Sequence, residues 1–145
     1  MADVVDFQIF KVPVSPIYDY LSNPENRTNM FVKVIEVNKL NDTIGVGARY
    51  EEIREISGHR VSSELEIVEL VENDLIVFST KSNGMKVIYT YSFRKRETDE
   101  GISVVFEGEV IGESLRTKLF RFLLARMMKK EDGDHLQVVK KELEK

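Results

Sequence analysis

The sequence predicts an α+β fold: seven antiparallel strands, two short helices after the first strand, and one long helix at the end. Three observations predict it. β-Branched and aromatic residues recur in seven short segments, turn residues separate those segments at meander spacing, and the chain after Gly112 changes to a helical pattern. The 145 residues suit a single domain spanning 1–145, large enough to bury roughly 68 to 70 % of the surface an unfolded chain exposes. No repeat, low-complexity tract or flexible linker divides it, and all three prolines fall in the first quarter.

Residues 4 to 11 form the first strand, with Val5, Phe7 and Ile9 alternating against Asp6 and Gln8. Ser15-Pro16 and Asn23-Pro24 each pair an N-cap residue with a first-turn proline. They predict short helices over 16 to 22 and 24 to 30. Six strands follow, near 34 to 40, 47 to 56, 60 to 70, 74 to 82, 85 to 95 and 102 to 111. The separators are Asn41-Asp42, Ser57-Gly58, Glu72-Asn73, Asn83-Gly84 and Asp99-Glu100-Gly101. Asn83-Gly84 is the clearest hairpin signal, because both residues tolerate the positive φ of a type I′ turn. From Glu113-Ser114 a helix runs to about Lys130 and on to about Leu143. Gly133, in an Asp-Gly-Asp interruption, costs about 1 kcal/mol relative to alanine and marks a kink or frayed joint.

This element order is that of the helix-grip fold, a curved antiparallel sheet wrapped around its last helix. The sequence resembles the START-like, Bet v 1-like (SRPBCC) superfamily, and within it the polyketide cyclase/dehydrase-type proteins. The run Val12-Pro13-Val14-Ser15-Pro16-Ile17-Tyr18-Asp19-Tyr20-Leu21-Ser22-Asn23-Pro24-Glu25-Asn26 is similar to the family's opening. Gly45-Val46-Gly47-Ala48-Arg49-Tyr50, Tyr89-Thr90-Tyr91-Ser92-Phe93 and Gly101-Ile102-Ser103-Val104 are similar to its third, sixth and seventh strand motifs. Asn23 stands where many members have Asp, and Ile102 where many have Thr. The first exchanges one good N-cap for another, and the second removes a hydroxyl without changing the strand. The resemblance covers essentially the whole chain and implies a fold, not a reaction, because the superfamily shares no catalytic group.

Composition excludes several chemistries. Without cysteine there are no disulfides, thiolate metal sites or cysteine nucleophiles. Neither His59 nor His135 lies in a metal-ligand pair, so no metal site and no cofactor is expected. His59, following Ser57-Gly58, reads as a solvated turn residue. Gly45-Val46-Gly47 lacks the lysine and helix of a phosphate loop. The net charge of −4 argues against nucleic acid, no segment reads as a membrane span, and Met1 to Asp6 lack the basic start of a secretory signal. A cytoplasmic location is expected. Six of the 21 basic residues, Arg116, Lys118, Arg121, Arg126, Lys129 and Lys130, fall in 115 to 130 with no acid among them.

A sheet curved around a distant helix encloses a cavity whose lining follows from alternation. Val87, Tyr89, Tyr91 and Phe93 share one face of the sixth strand, and Ile102, Val104, Phe106, Gly108 and Val110 one face of the seventh. In the third strand two phases are open. One turns Tyr50, Glu52 and Arg54 inward, with desolvation shifting the carboxylate's pKa for acid or base work; the other buries Ile53 with Glu51 and Glu55 and leaves a solvated edge. The predicted ligand contacts are Tyr50, Leu65, Phe78, Tyr89, Tyr91, Phe93, Val104, Phe106, Leu119, Leu123 and Met127. In the last helix Leu115, Leu119, Phe122, Leu123 and Ala125 can face the sheet, whereas Phe120, Leu124, Met127 and Met128 lie around the other side. A helix gripped by the sheet explains so wide a stripe. A Met-Phe cavity lid, a homodimer contact or a basic surface for anionic headgroups would also use it.

Three functions fit. The leading one is a non-catalytic carrier for a hydrophobic small molecule, either a lipid or a polyketide-like or aromatic metabolite. The second is a cyclase or dehydratase with Glu52, Tyr89 or Tyr91 as its acid or base. The third, implied by the resemblance to chaperone-activating and stress-related members, is a protein-interaction module.

Overall fold

The computed structural model describes residues 4–82, 85–97, 101–112 and 135–144. Seven antiparallel strands form one sheet: β1 (Val4–Phe10), β2 (Val34–Lys39), β3 (Arg49–Ile56), β4 (His59–Val71), β5 (Leu75–Ser82), β6 (Met85–Lys95) and β7 (Ile102–Gly112). Their order is β1-β7-β6-β5-β4-β3-β2, a meander from β2 to β7 with β1 added at the far edge. All seven predicted strands are present, each end within two residues of its expected position.

Local chemistry accounts for the hairpins. Ser57 and Gly58 both have positive φ, 52° and 80°, and join the Ile56–His59 pair, which is the primed turn that matches strand twist. Between β4 and β5, Asn73 takes the left-handed conformation (φ 60°) that asparagine tolerates. Ser82 pairs with Met85, while Asn83-Gly84 themselves lie outside the described residues. Register slips at Val34/Glu36 and Ile67/Glu69 bend β2 and β4.

The helical part of the chain departs from expectation in its details. Helix α1 (Val14–Ser22) begins earlier, behind Pro13, so Ser15 makes no cap hydrogen bond. Pro16 lies within the first turn, where a missing N–H costs nothing. The second helix divides into a 3₁₀ turn (Pro24–Asn26) and the single turn α2 (Arg27–Met30). Asn23 caps it as predicted, its side chain accepting from the Glu25 N–H at 3.1 Å. Asn23→Ala is expected to cost about 1 kcal/mol in urea denaturation, and an unchanged midpoint would deny the cap a role. Helix α3 (His135–Leu143) buries His135, Leu136 and Val139 and packs on β1 and α2. The predicted start of the last helix, its Gly133 joint, its apolar positions and its basic stretch lie outside the described residues.

One face of the sheet, together with α1, α2 and α3, forms the core. From β1 and α1 it takes Phe10, Ile17 and Leu21, and from the central strands Leu65, Ile76, Phe78, Tyr91, Val104 and Phe106. Val87, predicted inward with its neighbours in β6, is only half-buried. Among the described residues no helix is long and apolar enough to cross a membrane.

Candidate functional site

The third strand adopts the phase that turns charge inward. Glu52 is 1 % exposed, Tyr50 and Arg54 are buried beside it, and Ile53 lies only half-buried on the other face. A buried carboxylate needs partners. Arg27, at the start of α2 and itself 1 % exposed, donates from Nε to Glu52 Oε2, and Arg54 donates from Nε to Oε1 at 2.9 Å. One carboxylate thus joins two guanidinium groups from different elements. Burial alone would raise the Glu52 pKa, but the charges of Arg27 and Arg54 and their hydrogen bonds outweigh it and hold the carboxyl at about 2. With both oxygens engaged, Glu52 anchors cations and does not exchange protons near neutrality.

Aromatic rings surround this ion cluster. The Arg27 guanidinium carbon lies 4.8 Å from the ring centroid of Phe31, 5.6 Å from that of Tyr89 and 5.8 Å from that of Phe78. These are attractive cation–π distances. Phe31 is shared, since Arg54 lies 5.4 Å from the same ring. Burial disfavours the Arg27 charge, but Glu52 more than restores it and its pKa lies above the ordinary arginine value.

A second polar pair also adjoins Phe31, whose ring centroid is 4.7 Å from that of His135. Tyr91 and His135, both buried, share a 2.8 Å hydrogen bond between Oη and Nε2. Phe106 packs edge-on to the imidazole at 4.4 Å and against Tyr91 at 5.0 Å, while Tyr89 stacks on Phe106 at 5.6 Å. The aromatic rings of the interior thus contact both an ion cluster and a phenol–imidazole pair.

The sequence matches no protein-family model and no curated protein. The structure has clear likenesses. TTHA0849 from Thermus thermophilus superposes with a TM-score of 0.73 at 16% identity, over 95% of this chain and 94% of that one. The di-domain ARO/CYC StfQ from the steffimycin biosynthetic pathway gives 0.72 at 14% identity, and the di-domain ARO/CYC BexL from the BE-7585A pathway 0.71 at 12%. This chain covers 95% and 97% of its own length in those comparisons, but only 50% and 46% of the di-domain chains. The chain therefore shares the fold of these proteins, the helix-grip arrangement of a curved antiparallel sheet with a C-terminal helix packed on it.

On this helix-grip sheet the predicted contacts Tyr50, Leu65, Phe78, Tyr89, Tyr91, Phe93, Val104 and Phe106 are all buried. All belong to one core cluster, but they meet different polar groups within it. Phe78 and Tyr89 enclose Arg27, Tyr91 and Phe106 enclose His135, and Phe93 instead meets Tyr18 of α1 edge-on at 5.7 Å. Leu119, Leu123 and Met127 lie outside the described residues. His59 is exposed at the start of β4, just past the turn. Sequence reasoning missed Arg27, Phe31 and His135. The sequence offered only the spacing of Arg27 and Phe31, a cation and a ring four residues apart, and Phe31 itself lies just past α2 in extended backbone.

The cluster makes acid stability predictable. A Glu52 carboxyl near 4.5 in the unfolded chain and at about 2 in the folded one contributes stability fully above 4.5. That contribution is lost as pH falls from 4.5 toward 2. Urea midpoints measured across this window are expected to drop less for Glu52→Gln than for the parent. Equal slopes would show that Glu52 does not carry the acid sensitivity.

Proposed function

We propose that this protein binds an apolar small molecule between its sheet and its C-terminal helix. The supporting observation is the polar chemistry buried among the aromatic rings. A core that served stability alone gains little from ion clusters, since well-packed apolar residues of similar volume are often as stable or more so. Here Arg27, Glu52 and Arg54 stand among Phe31, Phe78 and Tyr89. Ligand sites combine such apolar lining with a few fixed polar groups. We include Tyr50, Leu65, Phe93 and Val104 in the contact surface, with Leu119, Leu123 and Met127 on the helix side.

Native mass spectrometry of gently purified protein, followed by organic extraction, tests this. A stoichiometric apolar adduct is expected. An apo mass that persists after challenge with lipids and aromatic metabolites would overturn the proposal.

One observation favours a second reading, a cyclase-type enzyme: the Tyr91–His135 hydrogen bond joins two groups able to move a proton. Tyr91→Phe would then abolish turnover of a bound precursor while leaving its uptake intact. Unchanged turnover would exclude Tyr91 from the chemistry.

A further inference from the structure

Arginine presents five N–H donors, and Arg27 has used one, at Nε, on Glu52. Its Nη1 and Nη2 are fully buried and have no hydrogen-bond partner among the described residues. Buried donors are almost always paired, because leaving one unsatisfied costs its full desolvation. The neighbouring rings do not supply the pairing. Phe31, Phe78 and Tyr89 lie 4.8 to 5.8 Å from the guanidinium carbon and offer π-faces, which attract the charge without accepting at the Nη edge as a carboxylate does. Glu52 cannot turn to help, since its second oxygen holds Arg54.

The orientation of the guanidinium is fixed from two sides, by the Glu52 bond at Nε and by the rings around it. What remains is a preformed two-nitrogen fork in apolar surroundings. Its complement is a planar group with two oxygen acceptors and negative charge, attached to an apolar body.

We infer that Arg27 is the head-group receptor of the ligand site and that the ligand is an apolar acid whose carboxylate forks onto Nη1 and Nη2. This inference rests on the ligand-binding proposal above. A fatty acid and an aromatic acid share the required chemistry and differ only in the body that meets the aromatic rings.

Calorimetric titration of the whole protein with laurate, 2-naphthoate and their methyl esters tests the inference. At least one acid is expected to bind about tenfold tighter than its ester, the size of one charge-assisted hydrogen bond. Which acid does so distinguishes lipid from aromatic sources. In Arg27→Met, which leaves Glu52 still paired with Arg54, the preference should fall below about threefold while ester affinity changes little. Arg27→Lys keeps a charge but not the fork and should lie between. The acid–ester comparison in the parent protein needs no variant, so a misfolded one does not remove the test. Equal binding of acid and ester, or a preference that survives in a folded Arg27→Met, would overturn the head-group assignment and leave the apolar-ligand proposal standing. So would a neutral native adduct. If none of the four compounds binds and no adduct is extracted, both fail together.

Discussion

Replacing Glu52 by Gln is expected to destabilise the protein by about 3–5 kcal/mol, the usual cost of removing one partner from a buried ion pair. The carboxylate is 1 % exposed and neutralises two guanidinium groups, so an amide leaves Arg27 and Arg54 facing each other without their shared anion. For a chain of this length the melting temperature should fall on the order of 10 °C. Arg27→Met should cost less, because Glu52 keeps Arg54 and the pair stays neutral. A loss under about 1 kcal/mol for Glu52→Gln would mean that water or another group shields the arginines, and the buried cluster described above would be wrong.

Phe106→Ala should be of similar size, about 3–5 kcal/mol, through lost burial and the void left behind. Phe106 is fully buried, and its ring meets Tyr89, Tyr91 and His135 at centroid distances of 5.6, 5.0 and 4.4 Å. Urea denaturation gives the loss directly, with an unchanged slope indicating that the native state stays compact. If the variant stays folded, uptake of an apolar ligand should be abolished or sharply reduced. A loss below about 1 kcal/mol would instead place Phe106 at a space that is already open and tolerates a smaller side chain.

The two substitutions probe the legible and the illegible parts of the site. Phe106 was readable because one face of β7 collects Ile102, Val104, Phe106, Gly108 and Val110, while the other carries Ser103, Glu107 and Glu109. The hairpins were readable because Ser57-Gly58 and Asn73 supply the positive φ that their turns require. The phase of β3 was not readable, since both faces mix apolar and charged residues: Tyr50 and Ile56 with Glu52 and Arg54, or Ile53 with Arg49, Glu51 and Glu55. What decides it lies 25 residues upstream in α2, where Arg27 supplies the counter-charge that lets Glu52 be buried. A lone arginine in a one-turn helix has no periodic signature, and an arginine is ordinarily exposed. His135 was hidden for the same reason, because its partner Tyr91 is 44 residues away in sequence.

The placement of β1 has a consequence for how the protein is made. Val4 pairs with Gly108 and Phe10 with Ile102. The seam is reinforced by hydrogen bonds from the Leu136 N–H to Asp6, from Lys140 to the Ile9 carbonyl, and from the Lys11 N–H to Glu144 across 133 residues. The first strand of the sheet therefore has no strand partner until β7, more than ninety residues later, has been made. At about 5–20 residues per second, β1 waits on the order of several seconds to tens of seconds, its apolar residues uncovered, while the β2–β7 meander is completed. Val4 and Phe10, which are buried only once β1 has docked, make this interval the time at which a nascent-chain chaperone has most to protect.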